Sequence, residues 1–271
     1  MHQKTKEIQK RYDGFLQTPC LWKNTAVFDI DHFNIEPKSL KIDIDLNEKL
    51  RLGKYIERFV SFQLQNEKSI KIVAENIQIQ QEKRTLGELD CLLLENNKPI
   101  HLEIIYKFYL YDKRAGNREI EHFIGPNRKD ALIEKLTKLK EKQLPLFYSN
   151  ECKAYLETLN LSSEKITQKV YFKAQLFVPF SNKGLQLKQL NTNCIVGFYI
   201  NRKELIQFKE CKFYIPTKKD WLIQPHSAIN WISSTEFNKK SKDYLERQFS
   251  PLCWLKKPNG ILEKFFLVWW G

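Results

Sequence analysis

Across residues 46–66 apolar side chains recur at helical spacing, with Leu52, Ile56, Phe59 and then Phe62 or Gln63 on one face, which predicts an amphipathic helix. Glu57 stands in register with Gly53, Val60 and Leu64, beside the buried edge of that helix. The period then shortens. Residues 70–80, 86–94 and 100–111 alternate apolar and polar positions or are dense in β-branched and aromatic residues, and each stretch predicts a strand. The last two form a hairpin through the turn-tolerant connection Glu95-Asn96-Asn97-Lys98-Pro99. After a polar loop at 112–125 the helical period returns. Asn127 and Asp130 read as a capping pair behind Pro126, and Leu132, Leu136 and Leu139 share one face of a second helix. Residues 169–178 read as a fourth strand, closed by Pro179.

The flanks are less regular. Residues 1–45 predict a helix followed by irregular chain, broken at Thr18-Pro19 and anchored by Leu21, Trp22, Val27 and Phe28. Beyond residue 180 strands are expected at 195–201 and near Phe213, and the closing FFLVWW reads as a core strand or an interface. The expectation is therefore an α/β (α+β) protein. Its core, residues 46–180, runs helix-strand-strand-strand-helix-strand around a mixed central sheet, with an N-terminal elaboration (1–45) and a C-terminal extension (181–271).

Composition narrows the class. A chain of 271 residues, 42% hydrophobic, buries a substantial core as one domain with elaborations or one domain plus a small second one. No two of the six cysteines stand at CxxC spacing, so no compact zinc-ligand cluster is expected, and reduced thiols are the simplest reading. The amino terminus lacks an apolar signal core, and no stretch approaches the ~18 apolar residues of a membrane helix, so a cytoplasmic protein without a membrane partner is expected. Lys and Arg number 45 against 32 Asp and Glu, a net charge of +13 that favours a polyanionic partner, with nucleic acid first. Because the lysines are spread along the chain, a generic solvated surface explains the charge as well.

The hairpin carries the candidate chemistry. Leu86, Glu88, Asp90 and Leu92 share one face of its first strand; His101, Glu103, Ile105, Lys107 and Tyr109 share one face of its second, while Leu102, Ile104, Tyr106, Phe108 and Leu110 face a core. Two carboxylates ~4 Å apart repel by ~4 kcal/mol at an effective dielectric of ~20, so Asp90 and Glu103, with Glu57 approaching from the helix, call for a cation. Hard oxygen donors favour Mg²⁺ or Mn²⁺. The competing reading makes these acids ordinary residues of a wet sheet face, although Leu86, Leu92 and Ile105 share that face. Glu88 and His101 are read as structural, and Lys107 as either a catalytic lysine or an ion-pair partner of Glu103 or Asp90. Asn127 and Arg128 at the expected helix start, with Lys129 and Lys135 beyond, form a candidate phosphate-tracking surface.

The segments RLGKYIERF, RTLGELDCLLL, HLEIIYKFYL and GPNRKDALIEKLTKLKEKQL, together with TPCLW and FKAQLFVPF, resemble the bacterial family called Domain of Unknown Function 1853 over most of residues 10–180. More broadly, Glu57, Asp90 and Glu103 on this order of elements resemble the PD-(D/E)XK nuclease superfamily, with its restriction-endonuclease-like core. That resemblance implies metal ligation by Asp90 and Glu103, Glu57 as accessory acid, and hydrolysis of phosphodiesters, in DNA ahead of RNA. The chain departs from the superfamily pattern at position 105, where Ile105 stands in place of the lysine; Lys107 lies ~13 Å along the strand from Glu103 rather than ~7 Å. The alternative is a catalytically inactive module of the same fold that binds nucleic acid or a protein partner.

Overall fold

In the computed structural model, which describes residues 2–23 and 26–271, the chain opens on helix α1 (His2–Gln17), and the next helical pattern becomes α2 (Leu52–Gln65). The expected start at residue 46 is corrected to Leu52. Asn47 accepts the Lys49 N–H on its side chain and the Leu50 N–H on its carbonyl, a turn that competes with the helix, and Arg51 is extended. Inside α2, Tyr55, Ile56, Phe59, Val60, Gln63 and Leu64 are buried, a stripe two residues wide that leaves Lys54 and Glu57 at its margin.

The three strands follow as β1 (Ile70–Gln81), β2 (Arg84–Glu95) and β3 (Lys98–Tyr111). The expected five-residue hairpin connection shrinks to two residues. Glu95 pairs with Lys98, and Asn96 and Asn97 take φ of 50° and 64°, the left-handed pair that matches strand twist and that asparagine tolerates. The remaining elements are β4 (Phe123–Ile124), α3 (Leu132–Lys138), a π-helical turn (Leu139–Gln143), α4 (Leu144–Leu146), α5 (Asn150–Thr158), β5 (Thr167–Pro179), β6 (Ile195–Asn201), β7 (Lys212–Tyr214), α6 (Ser234–Glu246), β8 (Leu252–Lys256) and β9 (Leu262–Val268).

The second helix begins at Leu132, not at Asn127. Residues 125–130 close a loop on themselves, with the Gly125 N–H on the Asp130 carbonyl (2.7 Å), the Arg128 N–H on the Gly125 carbonyl (2.8 Å) and Arg128 at a φ of 56°. The Asp130 carboxylate closes over Gly125, and a side chain at residue 125 would displace it. Asn127 is no cap: its Oδ1 accepts the Ser250 N–H at 2.7 Å.

The chain forms two compact units, neither continuous in sequence. One comprises Cys20–Tyr106 and Ile133–Lys173, with strands in the order β1-β2-β3-β5; Ile77, Ile79, Leu89, Leu92, Phe147 and Leu156 form a core beneath it. The other comprises Met1–Pro19, Lys107–Leu132 and Ala174–Gly271, with strands in the order β3-β5-β6-β9-β8-β7 and β4 on β3. Its β5, β6 and β9 run parallel and β9, β8 and β7 antiparallel, and Phe198, Phe213, Phe237 and Phe265 centre its core. The architecture is α/β with mixed strand directions. Among the described residues no helix is long and apolar enough to cross a membrane.

β3 corrects the expected one-sided hairpin. His101, Glu103, Ile105 and Tyr109 on one face are as buried as Leu102, Tyr106, Phe108 and Leu110 on the other. Phe147, just past α4, stacks on His101 at 5.1 Å between ring centroids, and Glu103, the acid of this strand, lies in the interior, so the wet-surface reading fails for it.

Candidate functional site

The rungs between β2 and β3 run from Glu95–Lys98 to Cys91–Leu102. One step further, where Asp90 would face Glu103, the Asp90 carboxylate itself takes the Ile104 N–H at 2.9 Å. A side chain thus replaces a backbone acceptor, and the acids gather at that step. α2 brings Glu57, and β2 brings Glu88 and Asp90, two residues apart and so on one face. One carboxylate oxygen from each of the three lies within 4.8 Å of the others. Lys54, one helical turn before Glu57, reaches into the same cluster, donating to Glu57 (2.8 Å), to Asn76 Oδ1 (2.9 Å) and, through a very short contact, to Glu88. Asn76 lies in β1 at a φ of 55°, a conformation asparagine adopts more readily than most residues.

Glu103 is fully buried and sits behind this group, held by donors. His101 Nε2 lies 3.2 Å from its Oε1, and Gln143 Nε2 donates to its Oε2 at 3.0 Å. Gln168 Nε2 donates both to the Leu144 carbonyl and to His101 Nδ1, each at 2.9 Å, which leaves Nε2 of the imidazole as the nitrogen that donates to Glu103. Gln143 closes the π-helical turn. The widened turn precedes Pro145, whose ring would clash with the carbonyl four residues back in a regular helix. Lys135 props the same amide, donating to Gln143 Oε1 at 2.7 Å.

The electrostatics follow from this crowding. Asp90 is pushed up to about 7, by burial first and then by the charge of Glu103; the Ile104 N–H opposes the rise, and Glu57 adds to it. Burial also raises Glu57, against the pull of Lys54. The donor set is carboxylate oxygen throughout, which fits a hard divalent ion, and such an ion would relieve the repulsion that keeps a proton near Asp90.

The sequence-predicted residues divide into those the structure gathers and those it places elsewhere. Asp90 and Glu57 converge, Glu103 lies close enough for its charge to act on Asp90, and Glu88, read from the sequence as structural, completes the group of three. Lys107 donates to Asp130 at 2.8 Å, rather than to either acid proposed as its partner. Arg128 binds Asp112 at 2.9 Å with its guanidinium 4.7 Å from the Trp270 ring centroid, and Lys129 is exposed. Lys54 was missed, although its position three residues before Glu57 on a helix was a readable signal.

The family model described as Domain of unknown function (DUF1853) matches residues 16–268. Protein Ycf2 of Physcomitrium patens is 23% identical over 210 residues, which cover 72% of this chain and 9% of that protein. The chain therefore spans less than a tenth of the curated relative it matches. No solved structure matches the chain.

Proposed function

Starting from the fact that the chain belongs to the DUF1853 family, we propose that it is a divalent-metal-dependent nuclease with a restriction-endonuclease-like core, acting on DNA ahead of RNA. The observation that carries this reading is the convergence of Glu57, Glu88 and Asp90 at the step where the β2–β3 ladder gives way. The order of α2, three antiparallel strands, α3 and β5, and the chain's net charge of +13, support it further.

In this reading Glu57, Glu88 and Asp90 hold Mg²⁺ or Mn²⁺, which supplies Lewis acidity and counter-charge to a phosphodiester. Asp90 aims its carboxylate through the Ile104 N–H. Glu103, fixed by His101 and Gln143, keeps negative charge behind Asp90 and so favours cation capture. Lys54 is the lysine of the site, carrying its ammonium to the acids at which a phosphate would arrive. A second reading, the inactive nucleic-acid-binding module, is favoured by that same ammonium, because Lys54 already neutralises Glu57 and Glu88.

Calorimetric titration of Mn²⁺ into the wild type and Asp90→Asn, each with and without a short DNA duplex, tests the proposal. Binding by the wild type that Asp90→Asn loses, together with duplex or single-strand cleavage that requires the ion, is the expected result. Absence of Mn²⁺ binding even with DNA present would leave the inactive module as the better account.

A further inference from the structure

The unit that carries the C-terminal strands holds a cleft of about 550 Å³, lined by Tyr111, Asp112, Arg114, Ser181, Asn182 and Tyr199 among others. That volume suits a small ligand of nucleotide size. Asp112 organises the charge. Its carboxylate, 4% exposed, accepts from the Arg114 N–H at 3.0 Å, from Arg114 Nε at 3.1 Å and from Arg128 Nη1 at 2.9 Å. One anion thus holds two guanidinium groups, and Lys113, also lining the cleft, adds a third positive charge.

Arg114 is pinned by its backbone N–H and Nε, while its side chain is 73% exposed and its terminal Nη groups make no protein hydrogen bond among the described residues. A guanidinium fixed at Nε with both Nη groups open is a fork suited to phosphate oxygens. The acids of the flanking segments are engaged: Glu119 accepts the N–H groups of Lys188, Gln189 and Leu190, and Glu121 accepts those of Asn117 and Arg118. Tyr199 Oη donates to the Tyr111 carbonyl at 2.8 Å, which fixes one of the two phenol rings that border the cleft.

We propose that this cleft is a nucleotide-binding site, in which Arg114 and Lys113 take the phosphate, Tyr111 and Tyr199 offer ring surface to the base, and Ser181 and Asn182 hydrogen-bond its polar edges. The ligand is a nucleoside monophosphate unit, either free or at the 5′ end of a strand. No residue of the acidic cluster lines the cleft, so the test is run with a chelator present.

The full-length chain is titrated calorimetrically in EDTA with AMP, with a short 5′-phosphorylated oligothymidylate, with its 5′-hydroxyl counterpart and with inorganic phosphate. Saturable binding of AMP assigns a free nucleotide; binding of the 5′-phosphorylated strand without AMP binding assigns a strand end. In either case Arg114→Ala weakens binding by about tenfold or more, as expected for loss of a charge-assisted fork. Ser181→Trp, which fills the cleft and keeps every arginine in the chain, abolishes binding while circular dichroism and Tm stay at wild-type values. The proposal is overturned if none of the nucleotide probes binds at millimolar concentration, whether or not inorganic phosphate does, if the 5′-hydroxyl strand binds as well as the phosphorylated one, or if the two folded variants bind like the wild type.

Discussion

Two carboxylates set into the protein behave in opposite ways: Asp112 gives up its proton more readily than a free aspartate and Asp90 less so. Burial pushes both upward. Around Asp112 it is outweighed by hydrogen bonds from Arg114 and Arg128, with the Arg114 N–H adding to them. Around Asp90 it is reinforced by Glu103 and Glu57, and a single N–H from Ile104 opposes it. At Asp90 burial and neighbouring acids act together, whereas at Asp112 two guanidinium groups overcome burial and settle the anion.

The largest effect should come from breaking the settled case. Asp112→Ala removes the acceptor of three donors; the arginine heads it leaves behind are open to solvent, so the cost is that of the lost charge-assisted hydrogen bonds, about 2–3 kcal/mol at pH 7. Since the folded pKa lies below the unfolded one, Asp112 stabilises fully above the ordinary carboxylate range and loses that contribution as pH falls through its lower folded value. Urea unfolding should therefore show the penalty at pH 7 and shrink it below about pH 4. A penalty that is flat with pH would mean that packing, and not charge, explains the loss.

The opposite substitution at the acidic cluster should stabilise. A rise from 3.8 to about 7 corresponds to roughly 4 kcal/mol of electrostatic cost for ionised Asp90, and because the group titrates together with its neighbours a gain of about 2 kcal/mol is expected for Asp90→Asn. Here the folded pKa lies above the unfolded one, so the folded state binds the extra proton and the wild type loses stability as pH rises from about 4 to 7. The advantage of Asp90→Asn should be full at pH 8 in EDTA, absent near pH 4, and reversed by saturating Mn²⁺, which only the wild type should bind. Equal pH profiles for the two proteins would show that Asp90 is not crowded in solution.

How much of this contrast was legible depended on the range of the interactions. Alternation along residues 86–94 and 100–111 placed Asp90 and Glu103 correctly on faces, and helical spacing placed Glu57 at the edge of α2, because those patterns are local. Glu88 shared the Asp90 face in plain sight. What selects it as a partner of Glu57 is the docking of α2, which no short pattern encodes. The interior position of Glu103 was hidden for a similar reason, since the amide that closes on its carboxylate is Gln143, 40 residues along the chain. Asn127 and Asp130 mimicked a capping pair, but residues 125–130 close on themselves through backbone hydrogen bonds and the helix starts at Leu132. The match to DUF1853 reaches residue 268, whereas the segments that carried the resemblance end near residue 180; β6 to β9 beyond them are short and irregularly spaced and offered less pattern to read.

Lys54 offers the smallest effect and the sharpest division between the two functional readings. Its ammonium is the only positive side chain among the described residues that hydrogen-bonds both Glu57 and Glu88, and its side chain is 40% exposed, so solvent screening limits its worth to about 1 kcal/mol. Lys54→Ala should lower stability by about that amount in EDTA, because Glu57, Glu88 and Asp90 then repel one another without a counter-charge. If the cluster is a cation site, removing a competing ammonium should tighten Mn²⁺ binding several-fold, and Mn²⁺ should restore the lost stability. If Lys54 is the permanent counter-ion of an inactive module, Mn²⁺ should neither bind the variant nor rescue it. Denaturation curves with and without Mn²⁺ separate these outcomes on one protein, with no need for the substrate to be known.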